Sequence, residues 1–202
     1  MILKQIITLV LISLVASISY ANDVFTNPTV GFSIEKPDEW VYLTTQTITE
    51  NRKNVRLNDE ELQKSIQKYA TAPLVVMARH PEPYDELNPS IQVTFRPLGQ
   101  LQGTPPENIL SLIVPTIQRA VSDFEYIEGV TATRVSGLDA ATMRARYTVY
   151  NQQGRTFETL TRMWLVPRGA YLFIIAMSGK ANGPEVSETE FMKAFNSIKI
   201  EH

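Results

Sequence analysis

Residues 141–166 read ATMRARYTVYNQQGRTFETLTRMWLV, and this stretch decides the fold. Two runs rich in β-branched and aromatic residues flank the loop at 152–154, which is the pattern of a β-hairpin. If these three residues form the loop and Gly154 takes the left-handed conformation, the register of the two strands follows. The predicted cross-strand pairs are Val149 with Phe157, Tyr147 with Thr159, and Met143 with Met163.

A second three-residue loop at 167–169 predicts that the next strand, 170–178, returns along the same sheet. A one-residue slip would move every side chain to the other face, so loop length decides which residues are buried. We expect one face to be continuous core that includes Met143, Tyr147 and Phe157. The predicted pairs of this hairpin are Val166 with Ala170, Leu165 with Tyr171, Met163 with Phe173, Trp164 with Leu172, and Arg162 with Ile174.

The opposite face of these strands gathers positive charge. The register places Arg144 opposite Arg162 and Arg146 opposite Leu160, with Trp164 on the same face. Because like charges across strands are unfavourable, something must compensate the guanidinium groups. One hypothesis is a carboxylate from a helix or a nearby strand, with Glu158 the nearest in sequence. The other is an anionic ligand gripped by planar guanidiniums beside the tryptophan ring. Under that hypothesis the ligand-binding residues are Arg144, Arg146, Arg162 and Trp164.

The rest of the chain predicts an α+β fold. Strand patterns precede the hairpins, and we expect the first two strands to pair around a turn at 36–39. These earlier strands are at 31–35, 40–47, 74–80, 91–96 and 126–135. With three helices, the element order is ββαββαββββα, which favours a mainly antiparallel sheet flanked by helices.

The three helices are predicted from their N-terminal signals. Asn58 and Ser187 each begin a capping box, and Pro106 stands at a first helical position, where its missing N–H costs nothing. Pro115 predicts a kink or break one turn earlier in the second helix. The predicted buried face of that helix is Ile109, Leu112, Ile113, Ile117 and Ala120.

The N-terminus has the composition of an export signal. Lys4 precedes an apolar run at 6–18, and a small-x-small pattern ends at Ala21. The run is shorter than the about 20 apolar residues of a membrane-spanning helix, and the chain has no cysteine for lipid attachment. We therefore expect a signal peptide at 1–21 and one periplasmic or secreted domain at 22–202, without a permanent membrane anchor. Loss of Lys4 takes the formal net charge from −2 to −3, which offers no basic excess for nucleic acid.

The composition also argues against several kinds of catalysis. Zero cysteines remove thiol chemistry and thiolate metal sites, and none of the nine glycines falls in a phosphate-binding or dinucleotide motif. The acidic loop after His80 matches no established metal-ligand spacing, so no metal or cofactor is predicted. Glu35, Asp38 and Glu39 form a carboxylate cluster, although turn chemistry explains Asp38 more simply.

Three segments resemble the PsbP-like family. Residues 24–40, VFTNPTVGFSIEKPDEW, are similar to its opening, in which a GFS strand is followed by a proline and a tryptophan. VSGLDA at 135–140 resembles its turn before a long hairpin, and FMKAFNSIKI at 191–200 resembles its last helix and strand. The resemblance implies an α/β/α sandwich shared by a photosystem II extrinsic subunit, a Ran-binding import factor and bacterial envelope proteins of the DcrB type. It also implies binding or assembly rather than catalysis, and the envelope branch fits the export signal.

These observations leave three hypotheses about function. The first is a non-catalytic envelope binding or assembly factor that acts through contacts with an envelope protein. The second is a carrier or sensor of a small anionic or amphipathic ligand at the arginine and tryptophan face. The third is a carboxylate-based hydrolase.

Overall fold

The computed structural model describes residues 23–69, 72–182 and 188–201. The predicted signal peptide, 1–21, lies outside them. The helices in these ranges are α1 (Thr45–Asn54), α2 (Glu60–Tyr69), α3 (Pro106–Ala120) and α4 (Glu188–Asn196). The strands are β1 (Val24–Asn27), β2 (Phe32–Glu35), β3 (Val41–Tyr42), β4 (Val55–Arg56), β5 (Val75–Ala78), β6 (Ser90–Pro97), β7 (Ser122–Val135), β8 (Leu138–Asn151), β9 (Thr156–Arg168), β10 (Tyr171–Lys180) and β11 (Lys199–Ile200). The predicted order is present, with β1, α1, β4 and β11 added to it.

The strands form two sheets, and every pairing in the described ranges is antiparallel. The large sheet runs β3-β5-β6-β10-β9-β8, and both β7 and the short β4 pair with β8. The small sheet has the order β1-β2-β11. The predicted α+β class and its mainly antiparallel sheet are therefore confirmed.

Two apolar cores lie on opposite faces of the large sheet. They alternate along β9, where Leu165 belongs to one core and its neighbours Trp164 and Val166 to the other. The α3-side core joins α3 to the sheet through Leu98, Ile109, Leu110, Val114, Ala141, Met143, Leu165 and Leu172. The α4-side core joins α4 and the small sheet to the other face, and includes Phe32, Ile34, Trp40, Trp164, Phe173, Ile175, Met177, Ala194, Ile198 and Ile200. The large sheet is thus covered on both faces, as in an α/β/α sandwich.

The β8–β9 hairpin has the predicted register in every pair. The N–H of Asn151 donates to the carbonyl of Arg155 at 3.0 Å, and Gly154 has a φ of +79°. Met143 is buried on the predicted core face, while Tyr147 and Phe157 are partly buried. The three-residue loop is therefore confirmed.

The β9–β10 hairpin differs from the prediction, and all of its predicted pairs are wrong. Its loop has two residues, Gly169 and Ala170, of which the glycine has a φ of +58°. Trp164 consequently pairs with Ile175 rather than Leu172, three positions along β10. Because an odd shift exchanges the two faces of a strand, the side chains of β10 point to the faces opposite to those predicted.

The first two predicted strands do not pair with each other. Strand β2 lies between β1 and β11, and β3 pairs with β5, so the turn at 36–39 leads from one sheet to the other. The predicted strand at 40–47 also ends early, because α1 begins at Thr45. The hydroxyl of Thr44 accepts a hydrogen bond from the N–H of Thr47 at 3.1 Å and caps this helix.

Helix α2 begins one residue later than its predicted cap implies. Asp59 accepts the N–H of Leu62 at 2.9 Å, whereas Asn58 donates to the hydroxyl of Ser122 on β7. The cap predicted at Ser187 for α4 lies outside the described residues.

Helix α3 begins at Pro106 as predicted and runs without a break across Pro115. Pro115 and Ser111 are both exposed, so the carbonyl that loses its helical partner faces water. The predicted buried face is partly wrong, since Leu112 is 62% exposed. The residues that α3 buries are Ile109, Leu110, Val114 and Ala120.

Candidate functional site

The predicted arginine face is present, and it lies next to the first turn of α4. Arg144 on β8 and Arg162 on β9 are direct cross-strand partners, with side chains that are 24% and 22% exposed. Trp164 lies on the same face and is buried. The guanidinium carbon of Arg162 is 5.8 Å from the centroid of the Trp164 ring, within the range of a cation–π contact.

Two glutamates neutralise this pair of arginines. Glu128 on β7 accepts hydrogen bonds of 2.6 and 2.8 Å from Arg162 and lies 3.6 Å from Arg144. Glu188, the first residue of α4, lies 3.0 Å from Arg144 and 3.2 Å from Arg162. Each arginine therefore contacts both carboxylates. We call Arg144, Arg162, Glu128 and Glu188 the Arg–Glu quartet.

The protein itself thus supplies the carboxylates that the first hypothesis required, but the residue named for that role was wrong. Glu158 accepts a hydrogen bond from Asn182 instead. It follows Phe157 near the start of β9, whereas the carboxylates that reach the arginines come from the neighbouring strand β7 and from α4.

A β-bulge in β7 brings Glu128 to the arginines. Tyr126 pairs with Ala145, and in a regular antiparallel ladder Ile127 would then face Arg144. The register shifts by one residue at this point, so Glu128 becomes the partner of Arg144 and Ile127 is left as the extra residue. The bulge therefore turns an apolar position into an acidic one opposite the arginine.

Arg146 lies apart from the quartet. It forms its own ion pair with Glu125, whose carboxylate accepts from its Nε at 3.2 Å. That hydrogen bond raises the pKa of Arg146 above its ordinary value. Its side chain is 41% exposed.

A pocket of about 210 Å³ opens beside the quartet. Its polar wall contains Arg144, Arg162, Glu188 and Lys180. Its apolar wall contains Leu160, Trp164, Met177, Phe191 and Met192. Three of the four residues predicted to bind a ligand therefore line one pocket, and Arg146 lies outside it.

The cations at this pocket already have carboxylate partners. Lys180 forms an ion pair with Glu86, from the loop that follows His80. Arg162 buries its Nε, which has no hydrogen-bond acceptor among the described residues. A molecule in the pocket would meet the terminal nitrogens of Arg162, because its Nε lies below the surface.

Sequence reasoning missed most of the apolar wall. Leu160 is the exception, because the predicted register placed it opposite Arg146 on the face of Arg162 and Trp164, where the structure has it. Met177 was missed because the β9–β10 loop was assigned the wrong length; it pairs with Arg162. Phe191 comes from α4, and no local pattern places that helix over these strands.

The loop after His80 makes contacts that fix its own conformation. The imidazole stacks on the ring of Tyr84 at 4.3 Å, and Asn88 hydrogen-bonds both the N–H and the carbonyl of His80. In the ranges that the structure describes, no cluster of three or more His, Asp or Glu side chains is arranged to hold a metal ion.

The fold can be compared with those of known proteins. No protein-family model matches the sequence, and a search of curated protein sequences found no match. Among solved structures, cyanobacterial PsbP (CyanoP) from Synechocystis is similar with a TM-score of 0.50 and 14% identity, over 92% of this chain and 96% of that one. LpqN, a protein involved in cell envelope biogenesis of Mycobacterium tuberculosis, is similar with a TM-score of 0.51 and 11% identity, over 90% and 86%.

A protein from Bacteroides thetaiotaomicron is similar with a TM-score of 0.49 and 9% identity over 89% of this chain, which spans about half, 48%, of that protein's length. The CyanoP and LpqN structures show that the fold is PsbP-like, as the three sequence segments implied. No helix among residues 23–69, 72–182 and 188–201 has both the length and the apolar character needed to cross a bilayer.

Proposed function

We propose that this protein is a non-catalytic binding factor of the bacterial envelope, and that it takes an apolar side chain of a partner protein into the pocket beside the Arg–Glu quartet. The observation that carries the proposal is the pocket itself. It is small, one of its walls is apolar, and the cations of its other wall are paired with carboxylates.

The size of the pocket favours a protein side chain over a whole ligand. Pockets that enclose drug-sized molecules have volumes of about 300–1,000 Å³. The volume here, about 210 Å³, is below that range. Protein interfaces characteristically seat one large anchor residue in a pocket of this kind, surrounded by polar groups that exclude water.

The residues of the apolar wall suit a protein contact as well. Met192 is partly buried, flexible and polarisable, so it adapts to side chains of different shapes. Trp164 and Phe191 are rigid, because each packs in the α4-side core: the Trp164 ring stacks on Phe195 at 4.3 Å, and Phe191 meets Trp40 edge-on at 5.8 Å. A rigid floor with one adaptable side fits an anchor site for related partner segments.

The charges argue against an anion that binds without displacing one of these carboxylates. Arg144 and Arg162 each contact two carboxylates, and Lys180 has Glu86. An anion added to this arrangement would meet Glu188 as a like charge at the pocket wall. The carrier hypothesis therefore requires a carboxylate to be displaced first.

The placement in the envelope rests on two supports. The first is the export pattern that ends at Ala21. The second is the shared fold with LpqN, whose own role is in cell envelope biogenesis. Likeness of fold is an analogy and does not transfer a function by itself, so the experiment has to test location and partner together.

Site-specific crosslinking in living cells tests the proposal. The photoreactive residue p-benzoylphenylalanine replaces Met192 at the pocket, and in a matched control it replaces Gln100, an exposed residue of the turn at Gly99–Leu101. We expect a reproducible adduct with one envelope protein from position 192 and none from position 100. The adduct should be in the periplasmic fraction, and the N-terminus of this protein within it should be Asn22.

Two results would contradict the proposal. One is the same set of adducts from both positions, or none from position 192 across several growth conditions. The other is a small molecule retained by the protein purified from its own host and detected by native mass spectrometry, which would favour the carrier hypothesis.

A further inference from the structure

We infer that the partner presents a carboxylate beside its apolar side chain, and that Glu188 holds the place of this carboxylate while the partner is absent. The inference rests on the proposed function and names the chemistry of the partner. The C-terminal residue of a polypeptide, when it is Leu, Met or Phe, carries both groups on one residue and fits this description.

The two glutamates of the quartet are not equivalent. Glu128 stands on a strand, binds Arg162 with both carboxylate oxygens and is not part of the pocket wall. Glu188 is the first residue of α4, its side chain is 50% exposed, and it lines the pocket. Glu188 is therefore the carboxylate that can rotate away while Glu128 keeps the arginines in position.

Exchange of one carboxylate for another conserves the charge of the site. Guanidinium groups bind carboxylates through paired N–H donors, and Arg144 and Arg162 both reach Glu188, at 3.0 and 3.2 Å. An incoming carboxylate would take over these two contacts, and Glu188 would pass into water. The apolar side chain of the same partner residue would then lie against Leu160, Met177 and Met192 in this pocket. Both halves of a C-terminal residue thus find a matching wall.

This arrangement makes Glu188 an internal competitor, so its neutralisation should strengthen binding. The test compares the wild type with Glu188→Gln, which keeps the size of the side chain and removes its charge. The probe is N-acetylleucine, a model of a C-terminal leucine, and its amide is the matched ligand control without the carboxylate. Affinities are measured by isothermal titration calorimetry.

The control variant is Glu190→Gln, in the same helical turn. Glu190 binds Arg79 at 2.7 and 3.0 Å rather than the quartet, so its neutralisation weakens the attachment of α4 without freeing Arg144 or Arg162. Circular dichroism shows that each variant is folded before the titrations are compared.

We expect Glu188→Gln to bind N-acetylleucine about tenfold more tightly than the wild type. The reason is that the ligand carboxylate no longer displaces a charged hydrogen-bond partner of Arg144 and Arg162. The amide should show no such gain, and Glu190→Gln should bind N-acetylleucine no more tightly than the wild type does. An unchanged affinity in Glu188→Gln, or an equal gain for the amide, would overturn the inference. If that happens while position 192 still captures an envelope protein, the proposed function stands and only the carboxylate exchange is lost.

Discussion

Gly31 lies at a point where three segments of the chain meet. It has a φ of +57°, and a Cβ at this position would be 2.9 Å from the Cβ of Glu201 and 3.0 Å from Nη1 of Arg168. That nitrogen also donates to the carbonyl of Val30 at 2.8 Å, so the arginine cannot withdraw without losing a hydrogen bond. The packing gives a physical reason for the glycine of the GFS segment.

Substitution of this glycine should be costly for two separate reasons. Gly31→Ala should lower the free energy of unfolding by about 2–3 kcal/mol, from left-handed strain together with the close contacts. Gly99 has a similar φ of +55° with no atom within 4 Å of a built Cβ, so Gly99→Ala should lose only about 1 kcal/mol. Urea unfolding measures both. Equal losses would mean that the contacts with Glu201 and Arg168 relax freely.

At the scale of elements, the sequence predicted what is local along the chain. The β8–β9 register followed from one loop, because both strands and the glycine of the loop are contiguous in the sequence. The β9–β10 register did not, since Gly169 can serve as the first residue of a two-residue loop or the last of a three-residue loop. The pairing of β2 with β11 joins the two ends of the described chain, and no local pattern encodes such a pairing.

The same distinction applies to α1 and to the candidate site. Helix α1 has no buried residue, so it shows no apolar stripe from which its period could be predicted. The arginines and Trp164 were predicted because they lie on one hairpin. Their carboxylates were not, because Glu128 depends on a bulge and Glu188 on the way α4 packs.

The loop after His80 is tied to the end of the β9–β10 pair through Glu86. Its hydrogen bond with Lys180 lowers the pKa of Glu86 below its ordinary value, and Arg155 lies 3.6 Å away. A carboxyl whose pKa is depressed in the folded state contributes stability above its unfolded pKa, about 4.3, and that contribution is lost as the pH falls through the folded pKa.

We therefore expect Glu86→Gln to be less stable than the wild type at neutral pH, by an amount that stays constant down to a pH of about 5. The difference should shrink at lower pH, where the wild-type carboxyl becomes protonated and resembles the glutamine. Urea unfolding between neutral pH and about pH 3 measures it. A difference that does not depend on pH would mean that the charge of Glu86 is not what ties the loop.

At the scale of the whole molecule, the large sheet separates two cores with different tasks. The α3-side core attaches one helix to the sheet. The α4-side core also forms the floor of the pocket, because Trp164 and Met177 belong to that core and line the pocket. The shape of the pocket should therefore follow the packing of α4 and be insensitive to α3.

Two cavity-forming substitutions of similar cost can separate these tasks. Ile198 is buried in the α4-side core just after α4, and Leu110 is buried in the α3-side core, so Ile198→Ala and Leu110→Ala should each lose about 2–5 kcal/mol of stability. We expect only Ile198→Ala to lower the yield of the adduct from position 192 severalfold, at a temperature where both variants are folded. The cavity under α4 should let the helix shift and move Phe191 and Met192 relative to the strands, while Leu110 lies in the core on the other face of the sheet and does not line the pocket. Equal losses of yield would mean that the sheet transmits the strain from one core to the other, and that the pocket is a property of the whole sandwich.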